Sequence, residues 1–437
     1  MTASPLKRYH KVLGEGAWVI LGQAAVVAGG LVGMRLLTHF VAPEAFGVVS
    51  LLLGVVMLVK NFTFMPLGHA GARFLPDLAV VNGVGLLRRV MNRFLRWSWL
   101  AAGLGLLAGT AWCVWNGQSA WLAPLVVLLF VLDVKRSAEA TFMGAARRQR
   151  ALSLWNVGES WLRPGLAIAA AFWLGPSAGS VLLGYAAAST VLLLLVLARE
   201  PSDSGVDVAG KWTEARLSAE IRSYAAPLIP LAAIVWANTV GDRYIIGWLR
   251  TPEEVGVYVA TYGLVNTPFL MAQGILTQTL RPVYLQKLAA NHEADARKTY
   301  AVWIGCTTAV CLVGFVAVLA LKDGIAWLLL APEYRSGALL MPWIAGGAAI
   351  YAAGQVVALY LLAHKRSSWW VACEAAGAAV SIPVTILLVR RHGAFGAAVA
   401  CPIYFGVTFV LQSILAMALS GARRATVVSQ EEAGGGS

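Results

Sequence analysis

Long apolar runs alternate along the chain with short breaks that hold most of its charged residues. A helix needs about 20 apolar residues to cross a bilayer, so we divide the sequence at its charged and Gly/Pro-rich breaks. This division predicts twelve spans, which begin near residues 16, 46, 94, 120, 151, 178, 224, 255, 300, 337, 368 and 396. The pattern is typical of an all-α polytopic membrane protein.

The composition excludes a soluble domain. Hydrophobic residues make up 59% of the 437 residues, charged residues make up 13%, and the mean hydropathy is +0.71. A soluble protein carries about a quarter charged residues. The net charge of +13 follows from the positive-inside bias of membrane proteins, so we expect no nucleic-acid partner. The five cysteines form no CxxC pair and have no ligand set nearby, which argues against a metal site.

The distribution of Lys and Arg predicts the orientation of the chain. Most of them lie in the N-terminal segment and in every second break, and few lie in the alternate breaks. The positive-inside rule then places both termini in the cytoplasm, with the adjacent Arg390 and Arg391 as the exception. We therefore expect a multi-pass protein of a cytoplasmic membrane.

An internal repeat divides the chain into two halves. The motif Pro43-Glu44-x-x-Gly47-Val48 recurs as Pro252-Glu253-x-x-Gly256-Val257, each time between the first two spans of a six-span half. Six spans return the chain to its starting side, so the halves are predicted to be parallel repeats around a central cavity. The predicted divisions are a lobe at 1–200, a cytoplasmic linker at 201–222, a lobe at 223–420, and a tail at 421–437 that ends in a cloning remnant.

Charged residues inside the predicted spans are the candidate functional residues, because a charge near the bilayer centre needs a partner or a watery cavity. Lys60 lies about 20 Å inward from the outer end of the second span. Asp133 and Arg136 on the fourth span, and Glu159 and Arg163 on the fifth, have spacings that bring opposite charges onto one helix face. For these pairs a structural salt bridge and a ligand role both stay open.

Further charges lie nearer the ends of the spans or form another spaced pair. They are Arg35, Asp242, Arg243, Glu374, and the pair Lys135 and Glu139. Arg35 and Arg243 could also extend to the outer interface without binding a ligand. A cavity lined by these cations favours an anionic ligand, and the fork of a guanidinium suits a phosphate. The sequence has no P-loop, no GxSxG and no HExxH motif, so we expect no enzyme, no catalytic residue and no cofactor.

Several short segments resemble the polysaccharide transporter (Wzx-type flippase) branch of the MOP exporter superfamily. They are Met34 to Gly47, Asn238 to Gly247, Pro252 to Tyr258, Pro332-Glu333-Tyr334, and Gly393 to Ala398. Their order and spacing cover the chain to about residue 420. The resemblance implies a MOP/MATE-like fold and the flipping of undecaprenyl-pyrophosphate-linked oligosaccharide repeat units, as in O-antigen and polysaccharide biosynthesis, across the bacterial inner membrane.

The resemblance also implies roles for the candidate residues. Substrate contacts are expected at the basic residues Arg35, Lys60, Arg243, Arg136 and Arg163. Coupling to a proton or sodium gradient is expected at the acids Asp133, Glu159, Asp242 and Glu374. The expected partners are the lipid-linked glycan, membrane lipids and polysaccharide assembly proteins, and the expected oligomeric state is a monomer.

Three other functions stay open. A non-transporting scaffold of a polysaccharide assembly complex is one of them, but it leaves the deep Lys60 unexplained. A multidrug or other lipid-linked substrate exporter of the same superfamily would carry fewer basic and more acidic residues in its cleft. A membrane-embedded glycan polymerase or ligase would carry a long outer loop with clustered Arg, His and acidic residues, whereas the outer breaks of this chain are short and nearly bare.

Overall fold

The computed structural model describes residues 5–434 apart from 81–82, 116–120, 146–147, 199–211, 291 and 365. The described residues form helices and contain no β-strand. The helices are α1 (Pro5–Phe40), α2 (Pro43–Thr63), α3 (Met65–Val80), α4 (Val84–Trp115), α5 (Leu122–Ala145), α6 (Gln149–Leu174), α7 (Ala178–Leu197), α8 (Glu214–Ala225), α9 (Ile229–Leu249), α10 (Pro252–Ala289), α11 (Glu293–Leu329), α12 (Met341–Ala363), α13 (Ser367–His392) and α14 (Ala394–Gly434). The predicted fold class, an all-α polytopic membrane protein, is confirmed.

Within the described residues, nine helical segments are long and apolar enough to cross a membrane. The predicted number of twelve is therefore not established by length and hydropathy. Helix α5 is one of the helices outside the nine, because four charged residues interrupt its apolar sequence, namely Asp133, Lys135, Arg136 and Glu139.

Local sequence signals set several helix ends. Pro43 and Pro252 occupy the first positions of α2 and α10, where the missing N–H of proline has no helical partner to lose. Gly175, with φ of 92°, follows the end of α6. Ser177 and Ser180 then form a reciprocal capping box that starts α7. Helices α6 and α7 are therefore joined by a tight turn.

Two helices lie where the sequence suggested only basic breaks, α3 and α8. In α8, Leu217, Ile221 and Ala225 are buried and recur every four residues, as expected for one face of a helix. This face packs against α3 and α4. The side chain of Arg93 on α4 also forms an ion pair with Glu214 at 2.9 Å. The breaks therefore contain amphipathic helices, which a search for long apolar runs does not find.

The chain divides into two compact units. The first comprises residues 1–247, 251–256 and 329–333, and the second comprises residues 248–250, 257–328 and 334–437. The first unit extends past the predicted linker at 201–222, half of which, residues 201–211, lies outside the described residues. It includes nearly all of α9, because side chains of α9 donate hydrogen bonds to backbone carbonyls of α2: Trp236 Nε1 to Gly54 O at 2.9 Å and Tyr244 OH to Leu51 O at 2.6 Å.

In the second unit, aromatic side chains form a buried cluster. Trp303 and Tyr284 are almost completely buried and pack with Tyr360 and Leu361. The rings of Tyr300 and Tyr360 lie 4.6 Å apart between centroids. This cluster joins α10, α11 and α12.

The two copies of the repeated Pro-Glu-x-x-Gly motif contact each other inside the first unit. A Cβ atom on Gly47 would lie 1.8 Å from the carbonyl oxygen of Pro252, and one on Gly256 would lie 1.9 Å from that of Pro43. The contact is thus reciprocal, as expected when equivalent residues of two repeats meet. Glycine is required at both positions, because any side chain there would clash with a backbone carbonyl of the other copy of the motif.

Candidate functional site

A chain of five alternating charges connects three helices of the first unit. Its members are Lys60 on α2, Asp133 and Arg136 on α5, and Glu159 and Arg163 on α6. Lys60 Nζ lies 2.6 Å from Asp133 Oδ2, and Arg136 Nε lies 3.2 Å from Asp133 Oδ1. Arg136 Nη1 pairs with Glu159 Oε2, and Arg163 Nη1 lies 3.1 Å from Glu159 Oε1. We call these five residues the charge chain.

The charge chain carries one positive charge in excess, since three cations neutralise two acids. Its acids are the better covered members: the side chains of Asp133 and Glu159 are 13% and 11% exposed, against 22% for Lys60, 29% for Arg136 and 27% for Arg163. An entering ligand therefore meets cations before it meets acids. The arrangement favours an anionic ligand.

Arg163 keeps hydrogen-bonding capacity beyond its ion pair. Its guanidinium lies 5.4 Å from the ring centroid of Tyr185 on α7, which fixes its orientation. Its Nε atom is buried and has no hydrogen-bond partner. Arg163 can therefore donate to an additional acceptor without giving up Glu159.

Small residues of α1 bring this helix close to α6 beside the charge chain. A Cβ atom on Gly29 would lie 2.8 Å from Ser160 Oγ, and one on Gly33 would lie 2.6 Å from Pro164 Cγ. Trp161 Nε1 donates to the carbonyl of Ala25 at 3.0 Å. This close packing holds the part of α6 that carries Glu159 and Arg163.

Two cavities lie at opposite ends of the charge chain. The Lys60 cavity has a volume of about 640 Å³ and is lined by residues of α2, α3 and α5, among them Lys60, Asn61, His69, Ser137 and Thr141. The Arg163 cavity has a volume of about 380 Å³. Its lining includes Gln23, Met34, Asn156, Glu159, Arg163 and Tyr185. The Lys60 cavity is within the range of roughly 300–1,000 Å³ that small-molecule sites occupy.

The other candidates of the first unit lie outside the charge chain. Arg243 Nη1 lies 3.3 Å from Ser50 Oγ on α2, and the buried Asp242 accepts a hydrogen bond from the backbone N–H of Arg243 at 2.8 Å. Arg35 Nη1 donates to the carbonyl oxygen of Leu330 at 2.6 Å. The predicted substrate contacts of Arg243 and Arg35 therefore stay predictions that do not depend on the charge chain.

Glu374 lies in the second unit. Its Oε1 atom accepts from Trp370 Nε1 at 3.2 Å and from Gln412 Nε2 at 3.3 Å. Of the nine candidate residues, the structure therefore brings five together and leaves Arg35, Asp242, Arg243 and Glu374 elsewhere.

Sequence reasoning missed part of the surroundings. Glu139 pairs with Arg88 on α4 at 3.2 Å, and not with Lys135 as its spacing suggested. The guanidinium of Arg88 also lies 4.7 Å from the ring centroid of Phe142. Arg88 belongs to a cluster of basic residues in a break between predicted spans, and no sequence signal separates it from its neighbours.

The fold and this site define a polytopic α-helical membrane protein with a net cationic charge chain inside one unit. No protein-family model and no curated sequence matches the chain. Solved structures do match it. The Lipid II flippase MurJ in an inward closed conformation has a TM-score of 0.59 at 14% identity, over 90% of this chain and 86% of that chain.

Multidrug transporters share the fold as well. An inward-facing multidrug resistance MATE family transporter of the MOP superfamily has a TM-score of 0.63 at 12% identity, covering 91% of this chain and 96% of that chain. A eukaryotic MATE transporter has a TM-score of 0.54 at 15% identity, covering 94% and 96%. At this level of identity the comparisons show a MATE- and MurJ-like fold.

Proposed function

We propose that the protein is a flippase that moves undecaprenyl-pyrophosphate-linked oligosaccharide repeat units from the cytoplasmic to the periplasmic leaflet of a bacterial inner membrane. It works by alternating access, with both termini cytoplasmic. The single observation that carries the proposal is the charge chain, whose one excess positive charge is presented by its more exposed cations. The pyrophosphate is the anionic group of this substrate, and it is the group that would bind to these cations.

The direction of the charge excess separates this proposal from its main alternative. A multidrug exporter is favoured by the MATE transporters that share the fold. A site for cationic drugs would need an excess of acids, whereas the charge chain has three cations and two acids. The Lipid II flippase among the matches shows that this fold also serves a lipid-linked substrate. The charge excess therefore favours the flippase.

The acids of the charge chain provide a route to ion coupling. Asp133 is held by Lys60 and Arg136, and Glu159 is held by Arg136 and Arg163. A pyrophosphate that binds to Lys60 or Arg136 competes with these carboxylates for their cations. A carboxylate that loses its partner binds a proton or sodium ion more readily. Substrate binding and ion binding are thereby linked at Asp133 and Glu159.

Binding selectivity tests the proposal. The purified protein in nanodiscs is titrated with undecaprenyl pyrophosphate, with uncharged undecaprenol, and with a cationic dye such as ethidium. We expect the pyrophosphate to bind at least tenfold more tightly than undecaprenol, with an affinity that falls as salt rises. Binding of ethidium without binding of the pyrophosphate would instead establish the multidrug exporter.

A further inference from the structure

The Lys60 cavity carries an unpartnered amide. Asn61 lines this cavity, is only 6% exposed, and has no hydrogen-bond partner at Nδ2. A buried donor without a partner is costly, so natural proteins retain few of them. The χ2 torsion of asparagine has a broad energy profile, so rotation about it can direct this amide to a ligand in the cavity.

The charge at the edge of the cavity is already compensated. Lys60 also lines the cavity, but its ammonium group lies 2.6 Å from the carboxylate of Asp133. Besides Lys60 and His69, the lining provides neutral polar groups, including the hydroxyls of Ser137 and Thr141 from α5. The cavity therefore suits a neutral ligand with many hydroxyls better than a second anionic group.

The lining also combines polar and apolar groups. The Thr141 hydroxyl donates to the carbonyl of Ser137 at 2.8 Å, so its oxygen can still accept a hydrogen bond. Phe64 lines the same cavity together with small side chains such as Ala72 and Ala140. A sugar ring matches both kinds of lining group, since it presents hydroxyl groups at its edge and C–H groups on its faces.

We infer that the Lys60 cavity is a sugar subsite, which takes the membrane-proximal sugar of the lipid-linked substrate. Asn61 donates to an oxygen of this sugar, Thr141 accepts from a hydroxyl, and Phe64 packs against a C–H face. The inference rests on the proposed function. It divides the work within the first unit: the cations of the charge chain hold the pyrophosphate, and the neighbouring cavity recognises the first sugar.

The test compares two lipids that differ only by a sugar. Affinities are measured in nanodiscs for undecaprenyl pyrophosphate and for undecaprenyl pyrophosphate that carries one N-acetylglucosamine. The wild-type protein is expected to prefer the glycosylated lipid. Asn61→Leu keeps the side-chain size and removes the donor, so we expect its affinity for the glycosylated lipid to fall about 5- to 10-fold. Its affinity for the sugar-free lipid should change less than twofold.

Two further variants make this result interpretable. Asn266→Leu replaces a half-buried asparagine of α10 that lines neither cavity, and it should keep the wild-type preference. Thr141→Val removes a second polar group of the Lys60 cavity, and it should reduce the preference roughly threefold. It provides an independent test if Asn61→Leu does not fold.

The outcomes separate the two ideas. An equal loss of affinity for both lipids in Asn61→Leu, or no loss for either, would overturn the sugar subsite while leaving the flippase proposal intact. If the wild-type protein binds neither lipid, the proposed function fails and the subsite fails with it.

Discussion

The contact between the two repeated motifs gives the sharpest prediction for stability. Replacing Gly47 with Ala would place a Cβ atom 1.8 Å from the carbonyl oxygen of Pro252. A carbon and a carbonyl oxygen normally approach to about 3.3 Å, so the N-terminal ends of α2 and α10 must separate by roughly 1.5 Å. Neither side can yield by a rotamer change, because both contacting groups belong to the backbone.

The size of the effect follows from two opposing terms. Overpacking of a tight contact costs about 1–3 kcal/mol, and a backbone-to-backbone clash belongs at the upper end. Alanine in place of a helical glycine recovers about 1 kcal/mol of helix propensity. The net loss expected for Gly47→Ala is about 2 kcal/mol, which corresponds to a fall in melting temperature of roughly 2–4 °C for a protein of this size.

The assay is thermal unfolding in detergent, followed by tryptophan fluorescence. The matched control is Gly103→Ala on α4, where a Cβ atom would meet nothing within 4 Å, and which should melt at or slightly above the wild-type temperature. Gly256→Ala should match Gly47→Ala, because its Cβ would lie 1.9 Å from Pro43 O. The double variant Gly47→Ala/Gly256→Ala should lose less stability than the two single variants lose in total, since the first substitution already opens the shared interface. If Gly47→Ala has the same melting temperature as Gly103→Ala, the reasoning is refuted.

Two other substitutions test the ion pairs and the hydrogen bonds of α2, both by thermal unfolding. Lys60→Met leaves Asp133 with only Arg136 from the charge chain and should cost about 1–3 kcal/mol, whereas Lys60→Met combined with Asp133→Leu should recover most of this loss. A double variant less stable than the single one would contradict this account. Tyr244→Phe removes the 2.6 Å hydrogen bond to the Leu51 carbonyl and should cost about 1 kcal/mol. An unchanged melting temperature would show that this hydrogen bond is not stabilising.

The helices were predictable where long apolar runs carried the signal. The runs that begin near residues 151, 178 and 368 correspond to helices that begin at Gln149, Ala178 and Ser367. Helices α3 and α8 could not be found in this way, because they are short or amphipathic and lie among basic residues. In α8 the burial of Leu217 and Ile221 follows a four-residue period, which a search tuned to amphipathic helices would detect.

The candidate site was predictable only within single helices. The pairs Asp133 with Arg136 and Glu159 with Arg163 follow from spacing, and the structure confirms both. The contact of Lys60 with Asp133 joins residues of different helices, so no local spacing could predict it. The same holds for Arg136 with Glu159. The charged residues and two of the four ion pairs were therefore predictable from the sequence. The other two ion pairs, which complete the charge chain, depend on the tertiary packing of α2, α5 and α6.

The most direct test of the account is flipping in proteoliposomes. Undecaprenyl-pyrophosphate-linked oligosaccharide is placed in one leaflet, and its arrival in the other is followed by a membrane-impermeant lectin, with and without an imposed proton or sodium gradient. We predict movement that increases with one of the two gradients and that is lost in Lys60→Ala. Absence of movement in the wild-type protein, or growth of the glycan chain in its place, would contradict the flippase proposal.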